Sequence, residues 1–135
     1  MLTAFVSNAQ NAKEQQNVIK QVFQAMSDRN EPILRSLCTK DIVIVEDAKL
    51  WNIDSLTLYL KKPIPNDYKR INSFKFISEV TNDNISSITY ENQANISGKG
   101  NQYVIIWIET AILIREESKW KLKVIHSTTK EKRKI

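Results

Sequence analysis

The sequence predicts an α+β fold, in which three early helices cover one face of a curved antiparallel sheet. Three observations carry this. Apolar residues recur at helical spacing before residue 61. From residue 70 onward they alternate with polar residues at strand spacing. Tight-turn signals separate the later strands.

The first helix spans residues 12–27, where Val18, Ile19, Val22, Phe23 and Met26 make one apolar face. Asp28-Arg29-Asn30 interrupts it. A second helix starts at Glu31-Pro32, with Asn30 as its N-cap and Pro32 in the first turn, where a missing N–H costs nothing. Its apolar residues are Ile33, Leu34 and Leu37. The β-branched run Asp41 to Glu46 reads as a strand. A third helix follows Asn52 or Asp54, carries Ile53, Leu56, Tyr59 and Leu60, and stops at Pro63.

Strands then follow one another. In 70–80, Phe74, Phe76, Ser78 and Val80 share a side. In 85–97, Ile88, Tyr90, Asn92, Ala94 and Ile96 share a side. Ser97-Gly98-Lys99-Gly100 is a hairpin turn by its glycines. Residues 101–115 are apolar on both faces through Val104 to Ile108, which marks a central, covered strand. Glu116-Glu117-Ser118 turns the chain into a last strand, Lys119 to Thr129. The helices can cover only one sheet face. Ile106, Ile108, Ile112 and Ile114 on the other face imply a homodimer through the sheet.

Composition narrows the function. The chain has 135 residues, enough for one core. No apolar run approaches the ~20 residues of a membrane-spanning helix. The two glycines, Gly98 and Gly100, exclude a Gly-rich phosphate loop. One Cys and one His exclude a disulfide scaffold and a Cys/His zinc site, so neither metal nor cofactor is expected. Glu46-Asp47 is weighed as a metal pair, but adjacent carboxylates point apart on a strand, which favours a solvated turn. Cys38 reads as a buried helix-end residue.

The net charge is +5, and much of it sits in residues 130–135, which read as a solvated basic tail. A tail is not a basic stripe with interleaved aromatics, so no nucleic-acid partner is expected, and no membrane partner either. Residues 1–11 read as a flexible terminus or as the end of a truncated signal lacking its basic start. The compartment is accordingly cytoplasmic, or secreted or periplasmic. Asn84-Ile85-Ser86 and Asn95-Ile96-Ser97 match glycosylation triplets, common by chance in an Asn-rich chain.

Three local patterns, in order, carry a family resemblance over residues 12–129. They are Val22-Phe23-Gln24-Ala25-Met26 ahead of Asp28-Arg29-Asn30-Glu31-Pro32, then Val45-Glu46-Asp47 leading to Leu56-Thr57-Leu58-Tyr59-Leu60, then Trp120 through Thr128. Together they resemble the nuclear transport factor 2-like superfamily, on its SnoaL-like and unknown-function side. The resemblance implies a cone: a bent sheet wrapped around the three helices, with a pocket at the open end and dimerisation through the sheet. Members include isomerases, dehydratases, cyclases and non-enzymatic domains, so the fold leaves the function open. None of the family's tyrosine–aspartate, histidine–aspartate or arginine–aspartate sets matches residue for residue.

Candidate site residues come from strand register. Opposite residues of an antiparallel hairpin have a constant index sum. A two-residue turn at Glu117-Ser118 sets Arg115 against Trp120, Leu113 against Leu122, Glu109 against His126 and Trp107 against Thr128. Pairing Ser97 with Gly100 sets Tyr90 against Trp107 and Ile88 against Glu109. One sheet face then holds Tyr90, Trp107, Glu109 and His126. A carboxylate beside an imidazole in an apolar cavity suits general acid–base work, or satisfies itself as a structural pair. Trp51, before the third helix, is the candidate lid of the pocket mouth. Three functions follow as expectations: a dimeric binder of a small, largely apolar ligand; an isomerase, dehydratase or cyclase using Glu109 or His126 as base; or an interaction module with a filled cone.

Overall fold

A computed structural model describes residues 2–135, with side chains from residue 13 onward. The order is α1 (Leu2–Ser27), α2 (Glu31–Leu37), β1 (Cys38–Glu46), β2 (Lys49–Trp51), α3 (Ile53–Leu60), β3 (Lys69–Thr81), β4 (Ile85–Gly98), β5 (Asn101–Glu116) and β6 (Lys119–Lys134). The six strands form one sheet in the order β2-β1-β6-β5-β4-β3. The α+β class and the three-helix layer agree with expectation.

Helix α1 begins earlier than the apolar pattern suggests. The reading of residues 1–11 as a flexible terminus or signal remnant concerns side chains outside those described. Its inward face carries Val18, Ile19, Val22, Phe23 and Ala25, all buried, and Phe23 meets Phe74 of β3 at 5.6 Å between ring centroids. Arg29 closes the helix at φ 55°, and the Asn30 N–H bonds the Ala25 carbonyl. Asn30 then caps α2 by accepting from the Ile33 N–H at 3.2 Å, and Asn52 with Ser55 forms a capping box on α3.

Strand β1 lies parallel to β6, with Glu46 opposite Ser127. A three-residue strand absent from the sequence reading, β2, folds back on β1 through Asp47 and Ala48, both at positive φ. Cys38 caps the C-terminus of α2, its N–H bonded to the Arg35 carbonyl, and opens β1, a buried helix-end residue as expected. It is buried, which pushes its thiol pKa up to about 12.

Three expectations about the later strands change. A bulge at Ile77 reverses β3, so Glu79 turns inward beside Ile88 while Ser78 and Val80 turn out. The β4–β5 turn is Lys99-Gly100, both at positive φ, the geometry that matches strand twist in a two-residue hairpin. Gly98 instead belongs to β4, where Pro65 and Tyr68 pass close. Finally, β6 does not end at Thr129. The segment read as a basic tail continues it, with Lys134 opposite Tyr103.

Ile19, Leu34, Ile42, Ile88, Leu113 and Leu122 are fully buried between the helices and the concave sheet face, each worth about 1.5–3 kcal/mol by transfer. On the convex face Ile106 is buried, Ile112 and Ile114 are half-buried, and Ile108 is exposed.

Candidate functional site

The concave face carries a polar row across the sheet. Ladder pairing sets Glu46 of β1 beside Ser127 of β6, Ser127 beside Glu109 of β5, Glu109 beside Tyr90 of β4, and Tyr90 beside Phe76 of β3. Glu109 is 4% exposed and Tyr90 0%. A hydrogen-bonded chain approaches the same carboxylate from the β3 edge. Arg70 Nε donates to Asn72 Oδ1 at 3.1 Å, Asn72 Nδ2 to Asn92 Oδ1 at 2.9 Å, and Asn92 Nδ2 to Glu109 Oε1 at 3.0 Å. The Arg70 guanidinium also lies over the Trp107 ring, 5.6 Å from its centroid.

Burial raises the pKa of Glu109, and the negative field of Glu46 adds to it. The Asn92 amide and the Ser127 and Tyr90 hydroxyls pull it back. Both hydroxyls are buried beside the carboxyl and act on it from just outside close hydrogen-bond geometry, whereas the Asn92 amide is bonded to it directly. Burial, then the Glu109 charge, holds the Tyr90 phenol well above its usual range. Burial and Asp47 raise Glu46, while Arg70 and Lys49 oppose them. Glu46, half-buried at the end of β1 opposite Ser127, belongs to the row, while Asp47 is exposed in the β1–β2 turn as expected. Among the described residues no cluster of metal-binding side chains occurs.

The predicted site residues separate into three places. Tyr90, Trp107 and Glu109 share the concave face, although Tyr90 sits opposite Glu109 and Trp107 opposite Asn92, two residues from the expected register. An even shift keeps the face. His126 does not join them. An extra residue at Lys123 in β6 moves the pairing by one, so Glu109 faces Ser127 and His126 faces Thr110. His126 is exposed on the convex side, in a hollow of about 390 Å³ with Ile108, Thr110, Thr128 and Lys130. The expected Glu109–His126 acid–base pair is thus absent. Trp51 lies in β2 rather than in a loop, edge-on to Tyr59 of α3 at 5.6 Å.

Sequence reasoning missed Asn92, Asn72, Arg70 and Ser127. A signal existed for the two asparagines, since each falls on the apolar side of an alternating strand. A lone amide there must find a partner. Asn72 also lines an open groove of about 300 Å³ between α1 and β3, with the exposed Lys20, Gln24 and Ser73 and the half-buried Phe74.

No protein-family model and no curated protein matches the sequence. Solved structures match the fold. A CamKII hub homology domain from Chlamydamonas reinhardtii superposes with a TM-score of 0.80 at 15% identity, over 90% of this chain and 99% of that one. A hexachlorocyclohexane dehydrochlorinase from Novosphingobium barchaimii gives 0.77 at 10%, over 96% and 93%. A nuclear transport factor 2-like protein of unknown function from Silicibacter pomeroyi gives 0.69 at 11%, over 91% and 98%. At these identities the likeness establishes the fold alone, and that fold is the nuclear transport factor 2-like cone.

Proposed function

We propose that this protein binds a small molecule on the concave side of the sheet. The chain Asn72–Asn92–Glu109 reads the ligand's polar group, and the Phe74 and Trp107 rings pack on its apolar body. One observation carries this reading. Asn72 lines the open α1–β3 groove, and its amide leads through two hydrogen bonds to a carboxyl that is 4% exposed. A buried carboxyl with a raised pKa can hold its proton and donate, as well as accept.

A fragment screen by amide NMR tests the reading. Hits should perturb Asn72, Asn92, Trp107 and Glu109 together, and Glu109→Gln should weaken those carrying a hydrogen-bonding head. Hits scattered over the surface, or none on these residues, would remove it. Isomerase, dehydratase or cyclase chemistry on this cone would rest on Glu109 without His126, since the two lie on opposite faces. The apolar convex face around Ile108, Ile112 and Ile114 supports a homodimer through the sheet. Sedimentation equilibrium checks this, and a monomer at every concentration would sink it.

A further inference from the structure

We infer that the open edge of β6 from Lys130 to Lys134 is a docking strip for an extended acidic segment of a partner protein, added as a further strand. Parallel pairing with β1 ends at Glu46 opposite Ser127. Beyond that point, among the described residues, no strand covers this side of β6. The strand itself continues, held by β5, with Ile106 opposite Glu131 and Tyr103 opposite Lys134. The Ile135 N–H bonds the Gln102 carbonyl at 2.8 Å, which fixes the phase of the ladder. Residues at odd positions here point their backbone groups at β5. Lys132 and Lys134 point theirs outward, unpaired, along the open edge.

Charge selects the occupant. The strip reads Lys130-Glu131-Lys132-Arg133-Lys134, all exposed. Lys130 pairs with Glu91 and Arg133 with Glu131. Lys132 and Lys134 make no ion pair among the described residues. They are spaced by two, so their ammonium groups share a face of the strand. A second copy of this chain would oppose lysine to lysine and is disfavoured. An acidic strand satisfies both the backbone and the charges. The chain already shows this chemistry where the edge opens. Asp47 takes the Thr129 N–H at 3.3 Å on one carboxylate oxygen and the Thr129 hydroxyl at 2.8 Å on the other.

The probe is a fluorescein-labelled peptide, Glu-Thr-Glu-Val-Glu-Thr-Glu, titrated by anisotropy at low salt, beside the same peptide with alternate backbone amides N-methylated. The whole chain should bind the first about tenfold more tightly than the second, because only the first can complete a ladder. Lys132→Glu with Lys134→Glu should cost about tenfold, while the equal charge change Lys13→Glu with Lys119→Glu should cost less than about twofold. Circular dichroism melts confirm that both variants fold. Equal binding of the two peptides would reduce the strip to charge alone and overturn strand addition. Equal loss in both charge variants, or no binding of the first peptide, would overturn the site.

Discussion

The two ladders on either side of β5 behave differently. The β4–β5 pair runs without interruption from Ile85 opposite Ile114 to Gly98 opposite Asn101. The β5–β6 pair shifts register twice, where Lys123 and Lys130 are extra residues in β6. On the uninterrupted side, a turn displaced by one residue shifted the register by two and left every side chain on its correct face. On the bulged side, an error of one residue sent a histidine from the concave site to the convex surface. Register errors therefore matter by parity, and a bulge changes parity without any signal from the turn.

Breaking the joint between the ladders should have the largest effect. Leu113 is fully buried, opposite Ser86 in one ladder and Leu122 in the other, at the last pair before the first shift. Leu113→Ala should cost about 2–5 kcal/mol in urea unfolding, since both ladders and the helices pack on it. A cost under about 1 kcal/mol would mean that the joint repacks freely.

A middle-sized, pH-dependent effect is expected at Glu109, which touches the regular ladder through Tyr90 and the bulged one through Ser127. Its folded pKa is raised chiefly by burial. The folded state then holds the proton more tightly than the unfolded state. Stability is complete below the unfolded carboxyl pKa, about 4.3, and declines as pH rises toward the folded value. Glu109→Gln removes this decline while keeping an oxygen for the Asn92 amide. The variant should match wild type near pH 3 and exceed it at pH 7, the gap opening as pH rises through the carboxyl range. Parallel pH profiles for the two proteins would show that Glu109 is not held away from its charged form.

The smallest effect sharpens the comparison. His126→Ala should change stability by less than about 0.5 kcal/mol and leave the pH profile of Glu109 unaltered, because His126 is an exposed side chain on the far face. A loss near 2 kcal/mol would restore the pairing that the bulge at Lys123 excludes.

Much of the fold was legible from the residues themselves. The Asn30-Glu31-Pro32 helix start, the stop at Pro63 and the alternation of β4 are local chemistry, and each holds in the structure. Tyr90, Trp107 and Glu109 reached one face by period alone. What tertiary structure decided is where local rules fall silent. The partner of Glu109 depends on one extra residue in β6, whose bulged Lys123 reaches Asp41 of β1 at 2.8 Å, and nothing in the Glu117-Ser118 turn encodes it. The part-buried chain of Arg70, Asn72 and Asn92 depends on β3 lying beside β4. Residues 130–134, basic enough to read as a solvated tail, became strand because β5 is long enough to hold them. Periodicity assigns a side chain to a face from its neighbours in sequence, whereas pairing depends on backbone hydrogen bonds between distant strands, which only the assembled sheet sets.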